Sequence, residues 1–504
     1  MSFMKTALWG TPIRFKDYHV NDDVLERMRY EVDSLADDCL IALHERGITV
    51  ESFISNLKVT DPSVYDDDRV RAFAISVLTQ PTWLNCDLIA HGQHVFLKHH
   101  ASATIGLLYV SLIGGFAAPK ITKVLDATAY MTKYKDATWR RMNETFEMVL
   151  DCIDGDDALD IGCRGFNSVL KVRFLHSRVR LNLLDKIKSP WGNSSESLIT
   201  KEGTVVHHAH DGNPGFCPYN MQSFHANSKN SFTEHQDGIA YENETSTPVS
   251  FRIARTESGA STDSETLSVS SSVKSIPCKP VWDSTQYGLP INQEDMMATL
   301  LSFSVNVLDT IEKTTVIGTL TRADEDAYIH LWRYIGYLIG LQEKFNPCTD
   351  KERACGLMES AVLHLLKPDT RSGELARHLL HSIADRAPLH WSYEMHSETA
   401  RLLLGDQLAN ALGIQRDPKR RFYAKFALGF TAVLSFCFVP FLYRGSEKIK
   451  KIRRIFRLQL NKILYTPTEK KLPVKKKILK RFFTDTKLFF CASVGLAVYI
   501  KYVN

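Results

Sequence analysis

Val169-Leu-Lys-Val172-Arg173-Phe-Leu-His176-Ser-Arg178-Val179-Arg180-Leu-Asn-Leu183 is the stretch from which the fold is read. Val169, Val172, Val179 and Leu183 recur at helical spacing and His176 falls on their stripe, so the segment reads as an amphipathic helix with an imidazole on its buried face. Arg173 and Arg180 flank His176 one turn to either side. A buried imidazole beside two cations is driven toward its neutral form. Neutral imidazole is the form that ligates a haem iron, and neighbouring guanidinium groups can hold haem propionates in a bidentate fork. It is equally the state of a core histidine on a helix with a basic flank. This helix alone leaves both readings open.

Helical periodicity extends outward from it. Asp22-Asp23 start a helix–turn–helix over 22–58, with Val24, Met28, Val32, Leu35 and Cys39 as its stripe. Residues 61–185 continue in helical period, punctuated by Pro62, Pro81 and Pro119 where helices should begin; 120–153 and 166–185 are the strongest helices. The pattern resumes near Gln293, where Asn292 is placed to cap and Met296, Leu300, Phe303, Val307 and Leu308 to face inward. Gly336 and Gly340, on a helix expected over Trp332–Leu341, would leave a smooth strip for another backbone or a flat cofactor. The fold class expected is all-α.

Between these halves, residues 190–281 lose periodicity. They are rich in serine, carry a His207-His208-Ala-His210 patch and begin glycosylation sequons at Asn193 and Asn243. They read as a disordered insertion, with the histidines solvent-exposed rather than metal-binding and the sequons silent in a cytosolic domain. The domain plan is therefore a helical catalytic domain in two parts, 1–189 and 282–415, the insertion between them, and a basic membrane-anchoring region over 416–504.

The chain has 504 residues, 44% hydrophobic and 24% charged, enough for a large core. Its net charge of +5 conceals an acidic N-terminal third and a basic C-terminus. That basic tail lies between the apolar stretches Phe426–Tyr443 and Leu488–Ile500, which points to membrane lipid and away from nucleic acid. Both stretches are short, and basic clusters flank the first on both sides, so a dipping hairpin with surface-lying helices fits better than one span. Ten scattered cysteines without a C-x-x-C pair argue against a zinc ribbon or a disulfide scaffold and fit cytosolic exposure. The N-terminus lacks the apolar core of a signal peptide, so membrane attachment is expected through the C-terminus.

Several blocks then match one family in order. They are Trp83-Leu-Asn85-Cys-Asp87 with Gly92-Gln93 and Phe96, Gly114-Gly115-Phe116-Ala-Ala-Pro119, Arg140-Arg141-Met-Asn-Glu-Thr145, the His176 run, Gly288-Leu-Pro290-Ile291-Asn292-Gln293-Glu-Asp295, and Leu331-Trp332-Arg333-Tyr334-Ile-Gly336-Tyr337. Over roughly residues 20–188 and 282–415 the chain resembles the rubber oxygenase (latex-clearing protein) and MpaB-type ER-bound oxygenase family, and its fungal membrane-bound branch more than the secreted bacterial one. The resemblance implies a helical haem b domain with a globin-like core and C-terminal membrane-associated helices. It implies His176 as axial iron ligand, with Arg141 and Thr145 on the oxygen side. The implied reaction is O2-dependent cleavage of a carbon–carbon double bond in a lipophilic isoprenoid-type substrate, at the endoplasmic reticulum membrane with the catalytic domain facing the cytosol.

Two departures are visible. Glu144 stands where rubber-cleaving relatives have a lysine. Between Gly114 and Arg141 only Asp126 and Asp136 are acidic, so the glutamate proposed as base in those relatives has no clear counterpart. Two other readings are open. Asp87, His91 and His94 fall on one helix face and can form a facial non-haem iron triad, and a cofactor-free membrane scaffold can keep the helices without the chemistry.

Overall fold

A computed structural model describes residues 6–14, 18–57, 61–128, 131, 134–184, 282–314, 320–386 and 390–429. The chain divides into two units, Met1–Lys188 with Pro280–Asn504, and Ser189–Lys279. The second unit, with His207, His208, His210, Asn193 and Asn243, lies outside the described residues, as do 430–504 and hence nearly all of the expected membrane segments. Among the described residues no helix is long and apolar enough to cross a membrane.

The described body is helical, with one exception. Thr6–Leu8 and Thr11–Ile13 pair antiparallel. Trp9 and Gly10 join them with φ of 54° and 81°. Two successive left-handed residues are what a tight two-residue hairpin turn requires. This small ribbon is an addition to the all-α class expected, which the predominantly helical body bears out.

Arg164–Leu183, the helix carrying His176, is the inner helix of the body. Phe166, Val169, Leu170, Phe174, Leu175 and Leu181 are buried, and so are Lys171, Arg173, Ser177 and Arg180. Burial on nearly every side, rather than along one stripe, marks a helix enclosed by others. Val172 and Val179 are only half-buried. Lys135–Ile153 packs along it on one flank, and Ser34–Glu45 and Val50–Asn56 on another. Phe53, Phe73 and Phe174 meet at the core side, with ring centroids 4.7 Å apart for Phe73–Phe174.

The second half of the body adds Gln293–Thr314 and Arg322–Leu338. Asn292 starts the first of these as expected: its Oδ1 accepts the Asp295 N–H at 2.9 Å. Met296, Leu300, Val307 and Leu308 are buried. Arg322–Leu338 packs closely on Cys86–Lys98 through Gly92, where a Cβ would stand 2.5 Å from the Ala327 carbonyl oxygen. Gln293–Thr314 packs on a π-helix, Gly106–Ile113, at the Gly106–Thr310 contact. A second core, around Tyr109, Phe116, Leu375, Leu379 and Leu404, joins that π-helix to Thr370–Ile383 and Tyr393–Leu404.

Two boundaries differ from expectation. The helix expected over 120–153 is two, Pro119–Ala127 and Lys135–Ile153. The Gly336/Gly340 strip is absent. Gly336 sits against Leu300 and Asn346, while Gly340 lies beyond the helix end at φ +94°, beside Asp33 and Arg173. One glycine serves helix packing, and the other serves the left-handed turn that follows a helix C-terminus.

Candidate functional site

Charge burial decides what the two arginines beside His176 do. Arg173 Nε lies 2.6 Å from Asp33 Oδ2, and Nη2 lies 3.0 Å from Oδ1, a bidentate pair. Arg180 repeats this with Asp37, through Nε at 2.8 Å and Nη2 at 2.6 Å. Ser177 Oγ donates to Asp37 Oδ1 at 2.6 Å. Asp33 is the N-cap of Ser34–Glu45, and Asp37 is one turn on, so two acids at helical spacing meet two cations on the facing helix. The Arg173 guanidinium also lies over the Phe73 ring at 4.8 Å. Neither arginine lines the cavity described below. The partners found for these guanidinium groups, where haem propionates were expected, are buried carboxylates.

His176 points elsewhere. It lines a cavity of about 230 Å³ together with Arg141, Met148, Leu175, Asp295, Phe303 and Trp332, and the remaining walls are mostly aliphatic. His176 Nδ1 is enclosed and has no hydrogen-bond partner among the described residues. Burial, then the Arg180 and Arg141 cations, lower its pKa to about 4, so the ring is neutral at physiological pH.

Arg141 reaches the same cavity from Lys135–Ile153. Its Nη1 lies 3.3 Å from Glu144 Oε2 one turn along. Glu144 thus pairs with the arginine that lines the cavity. Thr145 does not line the cavity; its Oγ1 bonds the Arg141 carbonyl at 3.2 Å, as helix threonines commonly do. The threonines that line the cavity are Thr128 and Thr299, and the carboxyl is Asp295. Sequence reading missed these three. Asp295 carried a readable signal, an acid three residues after the Asn292 cap on the first turn of a helix whose other face is apolar.

The non-haem alternative fails on geometry. His91 Nε2 pairs with Asp324 at 2.8 Å, His94 Nε2 lies 3.8 Å from Asp156, and Asp87 is exposed. Among the described residues no three His, Cys, Asp or Glu side chains come together as a metal-holding group.

Helices packed around one largely aliphatic cavity, with a neutral histidine and an arginine on its wall, form the candidate site. Comparisons with known proteins place it more narrowly. Residues 271–435 match the family described as ER-bound oxygenase mpaB/B'/Rubber oxygenase, catalytic domain. A rubber oxygenase of Streptomyces sp. (strain K30) is 25% identical over 145 residues, a stretch that covers 28% of this chain and 35% of that protein. The chain thus spans about a third of the length of that curated relative. Latex clearing protein in its closed state superposes with a TM-score of 0.50 at 15% identity, covering 86% of this chain and 91% of the other, which shows a shared fold. The resemblance carried by the sequence blocks is thereby shown. The family match includes Asp295 and Trp332 but stops short of His176 and Arg141, whose assignment rests on the cavity itself.

Proposed function

We propose that this protein is a haem b-dependent oxygenase that cleaves a carbon–carbon double bond of a lipophilic isoprenoid-type substrate with O2. One observation carries the reading: His176 and Arg141, from two different helices, face one cavity whose other walls are mostly aliphatic. The residues fit the cofactor. An enclosed imidazole Nδ1 lacks a partner among the described residues, the ring is neutral, and the surrounding walls are mostly aliphatic. When bound, haem iron supplies the binding and activation of O2. His176 holds the iron in this reading. Arg141, oriented by Glu144, offers fixed N–H donors to negative charge that develops on oxygen. Ile121, Val124, Leu300, Ile335 and Ile339 exclude water and receive the hydrocarbon chain. Thr145 acts through the helix backbone and keeps no direct role at the cavity.

The membrane half of the reading has its own support. Helix 418–429 exposes Phe422, Tyr423 and Phe426 at 70%, 59% and 53%, interleaved with exposed Lys419, Arg420 and Lys425. Aromatic and basic side chains alternating on one exposed helix suit the interface of an anionic leaflet. They stand where the chain enters its basic C-terminal region. We take that surface to be the endoplasmic reticulum membrane, with the helical body on the cytosolic side.

Absorption spectra of the purified full chain, and turnover of a polyisoprene oligomer, test the reading. Wild type should show a haem Soret band, and His176→Ala should lose most of it. Arg141→Ala should keep the band while turnover falls about 10²–10³-fold, the usual loss when one preorganised donor to a developing oxyanion is removed. Full haem retention by His176→Ala with an unchanged spectrum overturns the ligand. A wild type without haem leaves the cofactor-free scaffold as the function.

A further inference from the structure

Glu294 and Asp295 are adjacent carboxyls on the first turn of Gln293–Thr314, and they meet opposite fates. Glu294 is buried and doubly paired, with Arg29 Nε at 2.8 Å and Lys120 Nζ at 3.1 Å. Asp295 turns to the cavity wall that also carries His176 and Arg141. Among the described residues no cation pairs with it. Among the described residues its carboxyl accepts one hydrogen bond, a long one, with the Asn292 N–H donating to Oδ2 at 3.4 Å. A half-buried carboxyl without a cation partner is an unusual thing to keep on a mostly aliphatic cavity wall, because desolvation penalises its charge.

We propose that Asp295 is the acid–base group of this cavity: a carboxyl that gives a proton to, and recovers it from, an oxygen-bearing molecule bound there beside His176 and Arg141. The inference rests on the oxygenase reading for the identity of that molecule. It supplies the proton-handling carboxyl that the segment between Gly114 and Arg141 lacks. There, Asp126 is bound to Arg371 at 2.6 Å and Asp136 to Arg386.

The electrostatics agree with the geometry. Burial, then the neighbouring Glu294 charge, raise the Asp295 pKa to about 7, against the opposing pull of the Asn292 N–H, Lys120 and Arg29. The charged groups around it are thus Glu294 on its own helix, Arg29 at the end of Asp22–Met28 and Lys120 on Pro119–Ala127, with Arg141 and neutral His176 on the cavity wall. A carboxyl poised near neutrality can act as acid and as base in one cycle. The reaction requires that economy. Adding both atoms of O2 across one C=C bond breaks that bond and the O–O bond and forms two C=O bonds, with no net proton or electron consumed. A group that donates a proton must therefore regain it before release.

The experiment uses the full-length protein. Infrared difference spectra of wild type against Asp295→Asn should show a protonated-carboxyl stretch at pH 6 that disappears by pH 8.5. Asparagine keeps an oxygen acceptor for the Asn292 N–H, so helix content and haem content should be unchanged. Turnover should fall about 10²–10⁴-fold, as for removal of a general acid–base group. Asp295→Glu should restore part of it with a displaced pH profile, an effect that a purely helix-capping role would not produce. An Asp295 already ionised at pH 6, or an Asp295→Asn variant with wild-type turnover and pH profile, overturns the proposal. A haem-loaded wild type that leaves the alkene untouched overturns the oxygenase reading instead. The infrared band is read independently of activity and upholds or overturns the proton-holding carboxyl in that case too.

Discussion

At the scale of single residues, the site depends on acids that never touch it. Asp37 holds Arg180, a wholly buried guanidinium, and Asp33 holds Arg173. Removing one partner of a buried pair leaves an uncompensated charge, so Asp37→Ala should destabilise the protein by about 3–5 kcal/mol in denaturant unfolding. An Asp37→Ala/Arg180→Met double variant should recover much of that loss, because no charge is then stranded. His176 and its basic flank were legible in the sequence as residue types at helical spacing, and Arg141 only through the resemblance of its sequence block. The partners of the arginines were not, since Asp33 and Asp37 lie 140 or more residues earlier in the chain. Without them, two buried arginines beside a histidine read as cofactor clamps. The place of Thr145 in a sequence block carried no information on where its hydroxyl turns, which is to the Arg141 carbonyl.

At the scale of elements, close approach of two helices sets the frame that the cavity inherits. Gly92 lets Cys86–Lys98 lie against the Ala327 carbonyl and Leu331 of Arg322–Leu338, the helix that also gives Trp332 and Ile335 to the cavity. A methyl group at Gly92 meets backbone, which cannot swing aside. Gly92→Ala should therefore cost about 1–3 kcal/mol, the usual penalty of overpacking, read as a lowered Tm with little change in helix content. An unchanged Tm would show that the two helices separate freely. Helical periodicity located nearly every element here, including the Asn292 cap. Periodicity could not foresee the break after Ala127, where Tyr134 takes an extended backbone (φ −132°, ψ 135°). It could not foresee the π-helix at Gly106–Ile113 either, because an apolar run reads alike at either winding. The wider turn is set by what it packs against.

At the scale of the whole molecule, the described helical body is built from two separated stretches of the chain. The described core cluster around His176's helix draws on residues from Leu25 to Leu181 and from Met296 to Leu365. Deleting residues 190–279 and joining the flanks by a short flexible linker should leave haem binding intact and Tm within a few degrees of wild type. Aggregation or haem loss would show that the insertion packs on the body. The arginine pair carries one more implication, for the order in which the body assembles. Arg180 Nη1 donates to the Ile291 carbonyl at 2.8 Å, and Arg173 Nη1 to the Leu338 carbonyl at 3.4 Å, while their acids come from the first turns of the chain. As the polypeptide leaves the ribosome, Asp33 and Asp37 are made before the helix whose cations they neutralise, and the two carbonyls arrive after it. The His176 helix can thus dock early on its acids and wait, half-anchored, while the intervening residues are synthesised. The last bonds to those guanidinium groups then record that the second half has come home.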